Sequence, residues 1–266
     1  MSDVKSTLER VRSTDGTSIA FERTGDGPPI VLVCGGSVDR GSNAGLAAEL
    51  ASTFSVYNFD RRGRGDSTDT APYAIEREIE DIAAVIDAAG GRAALYGSSS
   101  GAALALLAAA ALGDKVTKLL LWEPPYFLDP NARPPLDSVE QYERMVREGR
   151  PADAAEYFMT QVVRLPAEFA EFAKSQPWWP GQVALAPTLA YDGRIMGDYL
   201  LPKEQAVKVR VPTVVMAGST SFPFLPETAD ALAKMLPSGE YRLIEGQEHN
   251  VSPEVLAPVM KAFLGA

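Results

Sequence analysis

Across 266 residues the chain carries one cysteine and one histidine. The lone thiol, Cys34, excludes an internal disulfide framework and fits a reducing compartment, so a cytoplasmic protein is expected. The lone imidazole, His249, offers no histidine pair for a metal. Neither a CxxC motif nor a carboxylate cluster replaces one, and no metal or cofactor is expected. Basic charge is also scarce: 25 Lys and Arg stand against 35 Asp and Glu, a formal net charge of −10. Without a basic stripe interleaved with aromatics, nucleic acid and anionic membrane are not expected partners. Long hydrophobic runs are missing too. The most apolar stretch, residues 102–112, falls short of the roughly 20 residues that cross a bilayer and reads as a buried helix. The opening MSDVKSTLERVRSTDG lacks the apolar core of a secretory signal. Gly63-Arg64-Gly65 lacks the lysine and spacing of a phosphate-binding loop.

A hydrophobic content of 46% is enough for one sizeable core. Strand-like and helix-like segments alternate along most of the chain. Residues 6–12 and 17–24 pair as strands around a turn at Asp15-Gly16. The continuous apolar run 30–34 predicts a strand buried on both faces. A helix over 43–52, a strand over 55–59 and a helix over 73–89 follow, the last set by Ile75, Ile79, Ile82 and Ile86 at helical spacing. Further strands are expected at 93–96, 118–122, 213–217 and 241–244, and helices at 226–236 and 253–264. From Glu123 to about Lys208 the strand rhythm stops, and helices at 137–149, 152–163 and 167–175 are separated by prolines. The expected organisation is an α/β core from 1–122 and 209–266, with a helical cap over 123–208.

Residues 92–112 read RAALYGSSSGAALALLAAAAL: strand, tight turn, helix. Of the three consecutive serines only Ser99 has a glycine two positions to each side, Gly97 and Gly101. Such a serine sits on a strained elbow with its hydroxyl pushed out at the edge of a sheet. His249 lies in LIEGQEHNVSPE, just after the last expected strand, at the end where parallel sheets place their sites. It follows the serine in chain order, as the base of a Ser…acid…His arrangement does. If the serine is a nucleophile with an imidazole base, no other histidine can serve.

These residues resemble the α/β-hydrolase superfamily over essentially the whole chain. The resemblance is carried by Cys34-Gly35-Gly36, by Asp60 to Ser67, by Gly97 to Gly101 and by Gly246 to His249. It is nearest to a branch of small, mainly actinobacterial hydrolases with Glu-Pro-Pro after the sixth strand. It implies an eight-stranded, mostly parallel sheet flanked by helices, with a helical cap inserted after that strand. It also implies oxyanion donors on the backbone N–H groups of Gly36 and Ser100. Dehalogenase- and epoxide-hydrolase-type chemistry is disfavoured, because it needs aspartate where Ser99 stands.

Two positions depart from the family pattern. Cys34 stands where histidine is common and is expected to be a packing residue. After the seventh strand, Gly218 is followed by Ser219, Thr220 and Ser221, so serine occupies the place of the usual acid, and no carboxylate follows until Glu227. Some relatives carry the acid one strand earlier. Here that place holds Glu123, fixed by Pro124 and Pro125. Either Glu123 completes a triad, or a Ser–His dyad works with Ser221 or water orienting the ring. Glu248 points elsewhere, Asp60 stabilises the arginine-rich turn by ion pairing, and Asp66 is a turn or capping residue.

The insertion is rich in large apolar side chains, and Trp122, Phe127, Trp178, Trp179 and Met159 are expected to line the substrate pocket. The function expected from these features is cleavage of a small hydrophobic carboxylic ester or lactone through an acyl-enzyme on Ser99. Two alternatives stay open: non-hydrolytic or C–C-cleaving chemistry on the same fold, and an idle ligand-binding member. The partner expected is a small hydrophobic molecule.

Overall fold

The alternating segments assemble into one sheet. The computed structural model describes residues 7–265. Residue 6 of the first expected strand, the opening stretch 1–6 and residue 266 of the expected core lie outside the described residues. The strands are β1 (Thr7–Arg12), β2 (Ser18–Thr24), β3 (Pro29–Val33), β4 (Ser55–Phe59), β5 (Ala93–Ser98), β6 (Val116–Trp122), β7 (Thr213–Gly218) and β8 (Gly239–Ile244). Their order is β1-β2-β4-β3-β5-β6-β7-β8. Only β2 runs against its neighbours; every other pair in the sheet is parallel. This is the α/β-hydrolase architecture that the resemblance implied.

Around the sheet lie α1 (Ala44–Leu50), α2 (Ile75–Ala88), α3 (Ser100–Leu112), α10 (Phe224–Met235) and α11 (Pro253–Leu264). Between β6 and β7 run α4 (Ser138–Arg147), α5 (Pro151–Tyr157), α6 (Ala167–Lys174), α7 (Trp179–Leu185), α8 (Leu189–Met196) and α9 (Lys203–Ala206). Strand alternation splits the core into two. Val31, Val33, Leu95, Leu119 and Leu121 pack with α2, α3 and α10. Ile30, Leu32, Tyr96, Leu120 and Trp122 pack with α1 and α11. Helix α3, apolar all round and buried along most of its length, is a central helix of the first core.

The insertion has its own small core of Tyr142, Ala154, Ala155, Ala186, Leu189 and Ala190. The helix expected over 152–163 is α-helical only to Tyr157 and continues as a π-helical turn, Phe158–Val162. Sequence patterning missed α7, α8 and α9. Each has at most eight residues, and Pro180 and Pro187 punctuate the stretch at first-turn positions. Such short helices repeat no apolar period, and proline there starts helices rather than ending them.

The chain leaves β3 toward β4 on one side and returns with β5 on the other. Loops diverging at such a reversal open a crevice at the carboxyl ends of the strands. The loops after β3 and β5 hold Gly36 and Ser99.

Candidate active site

Ser99 joins β5 to α3 at φ 56° and ψ −129°, a conformation that costs a non-glycine residue about 1–3 kcal/mol. Its N–H donates to the Trp122 carbonyl at 2.9 Å, so the last bond of the sheet pins the turn. A Cβ on Gly97 would lie 2.3 Å from the Gly101 carbonyl oxygen, and one on Gly101 would lie 2.3 Å from that of Cys34. The two glycines therefore permit the contact of β3, β5 and α3 that the elbow requires. Among the described residues, neither the Gly36 nor the Ser100 N–H has a hydrogen-bond acceptor. Both residues line the same cavity as Ser99 and His249.

Glu123 follows β6 with φ 44° and is wholly buried. Its N–H donates to the Met216 carbonyl at 2.9 Å, which keeps it in register with β7. Three donors converge on its carboxylate. Gly218 N–H reaches Oε1 at 2.8 Å, and the Ser221 hydroxyl reaches Oε2 at 2.9 Å. His249 Nδ1 lies 2.6 Å from Oε2. Ser221, at the usual acid's position, thus supports Glu123 rather than replacing it, and Glu123 is the group beside the ring. The His249 side chain is 30% exposed, with Phe222 edge-on to it at 6.1 Å. No hydrogen bond joins Ser99 to His249 among the described residues, but both line the one cavity. Such bonds are often long in unliganded sites and tighten around substrate.

Trp122 does not line the pocket. Alternation on β6 turns it to the α1–α11 face, where it is fully buried, and its Nε1–H donates to the His249 carbonyl at 2.9 Å. It holds the histidine loop from behind. Replacing Trp122 by Phe keeps a ring in the core and removes that bond. The expected result is a kcat lower by about 5–10-fold, since small displacements of a reacting group are costly. Steady-state ester hydrolysis measures it, and an unchanged kcat would deny Trp122 this role.

The cavity has a volume of about 370 Å³ and an apolar lining. Phe127 lines it as expected and stacks on Phe224 with centroids 4.4 Å apart. Trp178, Trp179 and Met159 do not. Trp178 is 42% exposed, and Trp179 packs on the insertion's own core. The π-helical turn places Phe158 and Val162, four residues apart, on the cavity side and turns Met159 away. Met196, one of the large apolar residues of the insertion, adds to the wall, and the rest comes from residues that sequence reading passed over, notably Leu189, Tyr199 and Phe222. Residues 189 and 196 sit on the unforeseen α8, and 222 follows the family-pattern gap at 219–221.

A buried polar cluster adjoins the cavity. Arg61, Arg62 and Arg64 are all fully buried. Arg61 is bidentate to Glu78 at 2.7 and 2.8 Å, and Arg62 is bidentate to Asp81 at 2.7 and 2.8 Å. Asp60 steadies the turn by accepting the Asp66 N–H at 2.8 Å, but its ion-pair partner is Arg40. Asp192 of α8 accepts from Arg61 at 2.7 Å, Arg64 at 2.7 Å and the Ser100 hydroxyl at 2.8 Å. Burial pushes the Asp192 carboxyl up, but Arg64, Arg61 and the Ser100 hydroxyl outweigh it and hold the group below the usual carboxylate range. Three arginines within four positions of an acidic chain were the sequence signal for this cluster; Asp192, its partner from the insertion, had none. Cys34 is buried beside it, and desolvation raises its thiol pKa, which keeps it the unreactive packing residue expected. Among the described residues no group of three or more His, Cys, Asp and Glu could hold a metal ion, and no helix is long and apolar enough to cross a membrane.

The model of the alpha/beta hydrolase family matches residues 30–259. An alpha/beta hydrolase from Sphaerobacter thermophilus is 47% identical and superimposes with a TM-score of 0.90, over 96% of this chain and 100% of that one. A pimeloyl-[acyl-carrier protein] methyl ester esterase from Nitrosomonas europaea is 32% identical over 104 residues, 39% of this chain and 40% of that protein. Polyketide synthase ThaQ from Burkholderia thailandensis is 26% identical over 277 residues, 97% of this chain. This chain spans 13% of the synthase and 40% of the esterase.

Proposed function

The chain belongs to the alpha/beta hydrolase family, and we propose that it is a serine hydrolase of small hydrophobic carboxylic esters or lactones. The observation that carries this reading is His249 Nδ1 held 2.6 Å from the buried Glu123 carboxylate, with His249 sharing a cavity with the strained Ser99. Ser99 Oγ attacks the ester carbonyl while His249 Nε2 takes its proton, and Glu123 fixes the tautomer and stabilises the imidazolium. The Gly36 and Ser100 amides receive the oxyanion; one such donor is worth about 3–4 kcal/mol of barrier. The C–O bond to the leaving alcohol breaks as His249 returns the proton. Water then attacks the acyl-enzyme by the same route, releasing the acid and restoring Ser99. The apolar lining suits a hydrophobic acyl group, and the single free thiol, Cys34, suits a cytoplasmic protein.

Arg164 supports a second substrate reading. It is the one Lys or Arg lining the cavity, and no carboxylate pairs with it among the described residues. An acyl chain ending in a carboxylate would suit it.

A fluorophosphonate probe with peptide mapping tests the chemistry. Wild type is expected to label on Ser99, and Ser99→Ala is expected to lose both label and turnover. Failure of native wild type to label would leave an idle binding member as the better reading. A panel of p-nitrophenyl esters with neutral and ω-carboxylate acyl chains then separates the two substrate readings.

A further inference from the structure

The loop that holds Gly36 is grasped from the insertion at two places. The first grip runs through Asp192 of α8. Its Oδ2 accepts from Arg64 Nη2 at 2.7 Å, and Arg64 Nη1 donates to the carbonyls of Gly35 at 2.6 Å and Val38 at 3.1 Å. One guanidinium therefore ties both ends of loop 35–38 to a carboxylate on the insertion. The other oxygen of Asp192 accepts the Ser100 hydroxyl at 2.8 Å. The same carboxylate thus contacts both segments whose amides face the cavity. A Cβ on Gly36 would lie 3.3 Å from Asp192 Oδ2 and 3.3 Å from Ser100 Oγ, so a side chain here would press on both.

The second grip is independent. The Ser37 hydroxyl donates to Gln182 Oε1 at 2.7 Å, and Gln182 Nε2 donates back to the Ser37 carbonyl at 3.0 Å. Ser37 has φ 56°, a left-handed conformation that a serine keeps only when its surroundings impose it. Gln182 belongs to α7, so a different helix of the insertion makes this contact.

An oxyanion hole lowers the barrier because its donors are fixed before the charge appears. Donors on a strained glycine-serine loop are fixed only as well as that loop is held. We propose that Asp192 and Gln182 are positioning residues of the oxyanion hole, so that the seated cap aligns the Gly36 and Ser100 amides. This rests on the serine-hydrolase reading above. The cap then contributes to transition-state binding as well as forming the pocket wall. Neither residue reacts with substrate; each acts through the loop it holds. The charges of the cluster balance, with Arg61 and Arg64 set against Glu78 and Asp192, so Asp192 brings no uncompensated negative charge to the developing oxyanion.

The test uses Asp192→Asn and Gln182→Met. The second replaces a half-buried neutral group by an apolar one of similar length, so folding is retained even if Asp192→Asn is unstable. Loss of a whole oxyanion donor costs about 10²–10³ in kcat; misalignment is expected to cost about 10–100-fold for Asp192→Asn and about 5–10-fold for Gln182→Met. KM of Gln182→Met is expected to change less than about twofold, because Gln182 is not part of the cavity lining and ground-state binding is untouched. A boronic acid, which forms a tetrahedral adduct on serine, is expected to lose affinity in step with kcat, while a product carboxylic acid binds as before. A purely structural role would lower the melting temperature without separating these two ligands. Wild-type kcat and boronate affinity in Gln182→Met would overturn the inference, as would a loss confined to KM. Those outcomes leave a labelled wild type and hence the hydrolase reading intact. A wild type that never labels removes that reading, and this inference with it.

Discussion

Glu123→Gln is expected to lower kcat for ester hydrolysis by about 10³–10⁴-fold with little loss of stability. The carboxylate receives the Gly218 N–H on one oxygen, and the Ser221 hydroxyl and the His249 ring on the other. A carboxamide has one acceptor oxygen, so its NH2 must face a donor. If that NH2 faces the ring, Nδ1 becomes an acceptor, the ring proton moves to Nε2, and the base toward Ser99 is blocked. If it faces Gly218, two buried N–H groups oppose each other, which costs about 1–3 kcal/mol. Either orientation impairs the site. Ser221→Ala removes one of three donors and leaves the Glu123–His249 contact, so its kcat is expected to fall by less than about fivefold. Steady-state kinetics on one ester substrate decides between them. A Glu123→Gln enzyme within tenfold of wild type would reject Glu123 as the triad acid. A larger effect from Ser221→Ala than from Glu123→Gln would point to the dyad.

Gly101→Ala is expected to destabilise the protein by about 3 kcal/mol and to abolish probe labelling. The added methyl carbon would sit 2.3 Å from the Cys34 carbonyl oxygen and 2.6 Å from that of Val33. Both are backbone atoms at the end of β3 and cannot swing aside as a flexible side chain would. Relief requires β3 or α3 to shift. Such a shift moves the loop carrying Gly36 relative to Ser99, so stability and reactivity fall together. Gly181→Ala in α7 is the control, since an added Cβ there meets nothing within 4 Å. Alanine in a helix is favoured over glycine by about 0.5–1 kcal/mol. Urea denaturation of both variants checks the contrast, and equal midpoints would refute the argument.

Much of the sheet was legible because its central strands are short, concentrated apolar segments. β4 and α11 fall on the residues expected, and β3, β6 and β7 differ from expectation by one or two residues at an end. Burial on both faces makes those strands near-continuous apolar runs, which a linear reading detects. The elbow was legible for a related reason. Its glycines are demanded locally, by backbones that meet a few residues away along the chain.

Residues whose positions depend on distant segments were not legible. Trp122 and Phe127 lie on either side of Glu123 in sequence, yet Phe127 faces the pocket and Trp122 the opposite core, because strand alternation carries Trp122 to the α1–α11 side. Trp178 and Trp179 were expected in the pocket on aromatic content alone, and their orientation follows from how α7 packs. Asp192 had no local signature. It is an acid in a short helix, and its meaning appears only when α8 sets it against Arg61, Arg64 and Ser100.

The amino-acid sequence by itself determined the parallel sheet, the serine on its elbow and the single histidine available as base. Each is a matter of local sterics, of hydrophobic period or of there being one residue of its kind. Only the tertiary structure decided that Glu123 meets His249 across a sequence separation of 126, that Ser221 supports the acid, and that the insertion holds the loop carrying Gly36. Those contacts lie between segments far apart in the chain, so their geometry is set by how β6, β7 and the insertion pack together. No spacing along the chain encodes them.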